Sequence, residues 1–181
     1  MKWISLPDIH TACSKKDGAY IITLPQRGSI ARFLGVDSNC IVTIGSTKNL
    51  NERRKQFLVG LSSLEGHSAG NLFNIINTAC RLGIQSTAFQ FDYCEQETKE
   101  QALELESDLT AEYMIHFGEA PPFNSVIPKR KKAEYWKSKV IQLSAAATPR
   151  STLQQWRIES DGHLKLGKQL WRFLIFAVIP V

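Results

Sequence analysis

The chain is 181 residues long, 43% hydrophobic and 22% charged, with a net charge of +5 and a pI near 9.1. That size and apolar fraction exclude a wholly disordered chain and allow one packed domain, alone or with an appendage. The opening Met1-Lys2-Trp3-Ile4-Ser5 holds no apolar run of signal-peptide length, and the one long apolar run, residues 173–181, is far short of the roughly 20 residues that cross a bilayer. The expectation is a cytoplasmic protein with no membrane partner.

The charge is unevenly spread. Residues 129–181 carry eleven Lys and Arg against three acids, a net of +8, whereas residues 1–128 carry eleven against fourteen, a net of −3. A basic end on a mildly acidic body suits a polyanionic partner, most simply nucleic acid. Cys13, Cys40, Cys80 and Cys94 are scattered, and His10-x-x-Cys13 has no second pair to complete a zinc site, so all four read as buried or inert thiols in a reducing cytoplasm.

In chain order, residues 1–17 form a lead-in ending in the polar Ser14-Lys15-Lys16-Asp17. Residues 18–24 (GAYIITL) are rich in β-branched and aromatic side chains and stop at Pro25, which predicts a strand. Residues 25–39 read as a turn-rich connection. Residues 40–44 (CIVTI) predict a second strand, closed by Gly45. Thr47 or Asn49 can cap a helix running to about Leu64. A second helix is expected over residues 69–82, ending at Gly83, and a third strand over residues 85–93. Residues 97–117 predict a long amphipathic helix stopping at Gly118. The order β-β-α-α-β-α implies an α+β domain: a small three-stranded antiparallel sheet flanked by helices. Beyond it come the basic Lys129-Arg130-Lys131-Lys132, a helix over residues 133–143, a loop over residues 144–151 and a strand-like end.

One carboxylate breaks its helix's pattern. At about 100° per residue, Ala102, Leu105, Leu109, Tyr113, His116 and Phe117 share one side, while Glu97, Glu100, Glu104, Asp108 and Glu112 fall on a solvated acidic face. Glu106 falls inside the apolar stripe. A carboxylate there needs a compensating cation, an Arg, a Lys or a metal, because an uncompensated buried charge costs several kcal/mol. A buried ion pair or a metal site satisfies that requirement, and a helix edge that stays wet removes it.

The opening motifs resemble the GIY-YIG nuclease superfamily. Gly18-Ala19-Tyr20 is similar to the Gly-x-Tyr of its first strand. Thr43-Ile44-Gly45 stands at its Tyr-Ile-Gly. Ser46-Thr47-Lys48-Asn49-Leu50-Asn51-Glu52-Arg53 follows its loop, and Glu106 occupies the carboxylate of its later helix. Pro121-Pro122-Phe123-Asn124 resembles its Pro-Pro-x-Asn ending, so the likeness spans residues 18–124. It implies a nuclease domain over residues 1–127 and a basic extension over residues 128–181.

The resemblance implies roles for individual residues. Tyr20 would activate or position the attacking water. Arg53 would hold the scissile phosphate, a task suited to a planar guanidinium. Glu106 would bind one Mg²⁺ (or Mn²⁺) ion that stabilises the leaving 3′ oxygen. Gly18, Gly45 and Asn124 would be structural. Thr43 replaces the second motif tyrosine and brings no acidic phenol. Phe57 stands where some relatives carry a histidine base. The motif selects Arg53, whereas helical periodicity turns Arg54 inward, so Arg54 is a second candidate and a possible partner for an inward carboxylate.

Lys129, Arg130, Lys131, Lys132 and Lys137, interleaved with Tyr135 and Trp136, suit phosphate contact. The expected activity is a divalent-metal-dependent endonuclease that hydrolyses phosphodiester bonds in DNA, with a homodimer as one route to double-strand cleavage. The alternative is a catalytically weakened module of the same fold that binds nucleic acid or a protein, the reading that Thr43 favours.

Overall fold

The computed structural model describes residues 2–124, apart from the side chain of Arg27. The expected helix, loop and strand-like end beyond residue 128, the apolar run 173–181, and Lys129, Arg130, Lys131, Lys132 and Lys137 lie outside the described residues. The strands are β1 (Ile4–Ser5), β2 (Gly18–Thr23), β3 (Ile30–Arg32), β4 (Gly35–Asp37), β5 (Ile41–Thr47) and β6 (Gln90–Glu95). The helices are α1 (Leu50–Ser63), α2 (Ser68–Ala79) and α3 (Lys99–Phe117).

The protein is α+β, with an antiparallel sheet in the order β1-β6-β2-β5. The sheet has four strands rather than the three expected from sequence. The two-residue β1 carries no periodic signal of its own and exists as the partner of β6, with Ile4 opposite Tyr93 and Ser5 opposite Asp92. The lead-in is therefore part of the core: Trp3, Leu6 and Ile9 are all buried. A second correction lies in the turn-rich connection, which folds into the β3–β4 hairpin. Arg32 clamps that hairpin to the end of α3, pairing with Glu119 at 3.2 Å, donating to the Ala120 carbonyl and lying 5.6 Å from the Tyr113 ring centre. Such tertiary ties leave no mark in local propensity.

Each helix follows local chemistry. The Asn49 side chain accepts the Glu52 N–H and starts α1. Thr98 and Gln101 form a reciprocal capping box at α3, and Gly118 ends that helix in the left-handed region. The α2 helix stops about a turn before Gly83. There the Asn77 side chain bonds both the N–H and the carbonyl of Ile84, drawing the chain out of the helix. The first half of the expected third strand is instead a short 3₁₀ turn, Ser86–Ala88, that delivers Phe89 onto Phe57 and Phe73.

The sheet is covered on both faces. Tyr20, Ile22, Phe91 and Tyr93 pack with Leu50, Phe57 and Phe73 of α1 and α2. Ala19, Ile21, Ile41 and Ile44 pack with Leu105, Leu109 and Tyr113 of α3. The wheel of α3 needs two changes: Glu112, expected in water, is 4% exposed, and His116, expected on the apolar side, is exposed. Helices α1 and α2 meet at glycines, since a Cβ on Gly70 would stand 2.5 Å from the Phe57 carbonyl oxygen. That close approach brings the start of α2 over the Tyr20 face of the sheet.

Candidate functional site

β5 is an edge strand, so side chains from both helical layers reach past it into one cleft. The cleft has a volume of about 330 Å³ and is lined by Tyr20, Thr43, Ile44, Gly45, Ser46, Arg53, His67, Ser68, Glu106, Phe123 and Asn124. Tyr20, Arg53 and Glu106 come from β2, α1 and α3, three elements far apart in sequence. Tyr20 reaches the cleft across Gly45, its cross-strand neighbour on β5. A Cβ on Gly45 would lie 2.3 Å from the phenol oxygen. Glycine is required at this position by the tyrosine above it. Gly18, the other motif glycine, is demanded by the Cys94 carbonyl oxygen, which a Cβ would approach to 2.5 Å.

Glu106 is half-buried and lines the cleft. The Ser46 hydroxyl donates to its Oε2 at 2.5 Å. The two arginines separate cleanly. Arg53 lines the cleft, with its Nε buried and without a hydrogen-bond partner among the described residues. Arg54 is buried elsewhere: it donates to the Ile9 carbonyl at 2.7 Å and to Asn51 Oδ1 at 3.2 Å. Periodicity was right that Arg54 turns inward, but its partners are a backbone carbonyl and an amide. The role considered for it as partner of an inward carboxylate is corrected: it fastens the lead-in to α1.

Thr43 is buried, and its hydroxyl donates to Asn124 Oδ1 at 2.9 Å. The same oxygen accepts the Ile44 N–H, and Asn124 Nδ2 donates to the Ile44 carbonyl, each at 2.9 Å. Asn124 thus extends the edge of β5 as a strand partner would. Phe123 N–H adds a bond to the Val42 carbonyl at 2.9 Å.

His67 was missed in the sequence. It is 7% exposed and caps α2, its Nδ1 accepting the Ala69 N–H at 3.0 Å. Its Nε2 is 2.7 Å from the Tyr20 oxygen, and its ring meets Phe57 edge-on at 6.0 Å. His67 thus comes to the cleft from the start of α2, beside Phe57 of α1. The available signal was Gly66-His67-Ser68-Ala69-Gly70, a polar residue before small ones at a helix start. Histidine is not among the preferred N-caps, and no spacing links it to Tyr20.

Electrostatics bias these groups toward their neutral forms. Burial pushes the Tyr20 phenol above its ordinary range; Arg53 opposes that rise and Glu106 adds to it. Burial, with Arg53 second, lowers His67 from 6.5 to about 4.

No protein-family model, curated protein or solved structure matches the chain significantly. Among the described residues, no helix is long and apolar enough to cross a membrane.

Proposed function

We propose that this cleft hydrolyses phosphodiester bonds in DNA, as a divalent-metal-dependent endonuclease of the GIY-YIG type. The observation that carries the reading is the convergence of Tyr20, Arg53 and Glu106 in one cleft, with Gly45 shaped around Tyr20 and Asn124 pinning the strand between them. A phenol, a guanidinium and a carboxylate are chemically complementary around a phosphate. The guanidinium binds the anion, the phenol oxygen orients a water, and the carboxylate holds a cation.

The donor set suits one hard cation. Among the described residues no group of three His, Cys, Asp or Glu side chains could enclose a metal, so a fully protein-ligated zinc site does not fit. A single carboxylate in a polar cleft fits Mg²⁺, which keeps several waters and takes substrate phosphate oxygens as further ligands. Glu106 would hold it, and Ser46 fixes one carboxylate oxygen. When bound, the ion would supply positive charge to stabilise a leaving 3′ oxygen. Arg53 lines the cleft, where its planar guanidinium suits a phosphate oxygen. Tyr20 enters the reaction as a neutral phenol, because burial disfavours its anion, and its oxygen positions the attacking water.

A second reading, a nucleic-acid-binding or protein-binding module without cleavage, is favoured by one observation: the Thr43 hydroxyl is engaged by Asn124 and supplies no second phenol. One experiment separates the two. Purified full chain is incubated with plasmid and with single-stranded DNA, in Mg²⁺, Mn²⁺ or EDTA, beside Glu106→Ala. Endonuclease activity predicts metal-dependent nicking that EDTA and the variant both abolish. Salt-sensitive binding with no cutting of any substrate selects the second reading, and equal cutting by Glu106→Ala rejects the metal site.

A further inference from the structure

His67 is held by two hydrogen bonds that decide which of its ring nitrogens carries the proton. Its Nδ1 faces the Ala69 N–H at 3.0 Å. A backbone amide can only donate, so Nδ1 must present a lone pair. The proton of the neutral ring then sits on Nε2, which faces the Tyr20 oxygen at 2.7 Å. Ala69 N–H lies in the first turn of a 12-residue helix, where no intrahelical carbonyl can replace the cap.

The imidazolium is opposed twice. Protonating Nδ1 would break the cap and strand a buried amide, and the cation would stand in a site that contains Arg53. The charged groups facing the Tyr20–His67 couple are Arg53 from α1 and Glu106 from α3. Burial is the larger cause of the lowered His67 pKa and Arg53 the smaller.

We propose that His67 is a positioning residue for Tyr20, a fixed hydrogen-bond donor to the phenol oxygen and not a base that removes the phenol proton. This rests on the reading of Tyr20 as the group that handles the attacking water. With Nε2–H directed at the oxygen, the phenol O–H turns away from the imidazole and toward the cleft. The phenol oxygen then keeps one lone pair for His67 and offers the other to a water near Arg53. Phe57 and the α1–α2 glycine contact hold the ring in place, so orientation is built in before a substrate arrives.

The test pairs a substrate-free measurement with two variants of the full chain. Long-range ¹H–¹⁵N NMR of the imidazoles should show His67 as the Nε2–H tautomer from pH 5 to pH 8, with no conversion to imidazolium across that range. An Nδ1–H tautomer, or a ring that titrates near its ordinary value, overturns the proposal. In cleavage kinetics, His67→Gln keeps an amide donor at a similar reach but cannot accept a proton. It should stay within about tenfold of the parent, whereas His67→Ala should fall by about 100-fold, the scale for removing one aimed donor. Equal losses in two folded variants reject the donor role. Absence of cutting by the parent chain rejects the nuclease reading instead, and the tautomer measurement still decides whether His67 donates to Tyr20.

Discussion

Gly45 lies directly against the Tyr20 phenol, so close that a Cβ would stand 2.3 Å from its oxygen and 2.5 Å from the ring carbon bearing it. The ring cannot swing aside freely, because it stacks on Phe91 at 5.3 Å and bonds His67. Gly45→Ala must therefore displace Tyr20 or the edge strand. The expected outcome is a loss of about 1–3 kcal/mol, the usual scale for overpacking, measured by urea unfolding. Nicking should fall at least tenfold at temperatures where the variant is fully folded. Unchanged stability and unchanged cutting would show that Tyr20 moves without cost.

The neighbouring arginines should separate in experiment as they do in space. Arg54→Ala removes the donor to the Ile9 carbonyl and leaves that buried group unmatched, so it should destabilise by about 1–3 kcal/mol. Arg53→Ala should leave stability within about 0.5 kcal/mol, as is usual where a side chain makes no fold-determining bond, and reduce cleavage by about 100- to 1,000-fold. Arg53→Lys should recover little of that loss, because an ammonium lacks the planar fork. Thermal melts and initial nicking rates for the three variants check this. A stable, inactive Arg54→Ala beside an unstable, active Arg53→Ala would reverse the assignment.

These contrasts also show which features a sequence can carry. Tyr20, Gly45 and Arg53 sit at fixed offsets within elements whose local signals are strong: a β-branched strand stopped by Pro25, and a helix capped by Asn49. Glu106 stands out as an acid in an apolar stripe, although its half-buried place in the cleft depends on how α3 packs on the sheet, which no wheel contains. Arg53 and Arg54 differ by one residue, and the sequence does not contain the Ile9 carbonyl that Arg54 meets while Arg53 lines the cleft. β1 and the β3–β4 hairpin depend on partners distant in sequence, Tyr93 for one and Glu119 for the other. His67 was silent for the same reason: its chemistry comes from Tyr20, 47 positions away.

Asn124 is expected to act on stability and activity together. Three hydrogen bonds join it to Thr43 and to both backbone groups of Ile44. Asn124→Ala leaves the Ile44 N–H and carbonyl without these partners and frees the Thr43 hydroxyl, for a loss of about 1–3 kcal/mol. Because Gly45 follows Ile44, loosening this edge also loosens the floor beneath Tyr20. Hydrogen exchange should show faster exchange of the Ile44 amide in the variant than in the parent. Thr43→Val removes one bond and keeps the other two, so it should cost about 1 kcal/mol and leave Ile44 protected. A Thr43→Val variant as damaging as Asn124→Ala would mean that the threonine hydroxyl, and not the backbone bonds, holds the strand.

His67 also makes a prediction about acid stability with a definite sign. Its pKa is lowered in the folded chain, from 6.5 to about 4, mainly by burial and secondarily by Arg53. Between those values the unfolded chain binds a proton that the folded chain excludes, so stability rises with pH across this window. The contribution is fully present above about pH 6.5 and is lost as pH falls toward 4. A shift of this size corresponds to about 3 kcal/mol. Other carboxylates titrate nearby, so the informative quantity is the difference between the parent chain and His67→Gln, which has no proton to gain. Urea unfolding at pH 7, 6, 5 and 4 should show the parent losing up to about 1.4 kcal/mol per pH unit more than the variant in the middle of the window. Parallel curves for the two proteins would mean that the folded state accommodates the imidazolium, and with it that the Ala69 amide does not hold Nδ1 as an acceptor.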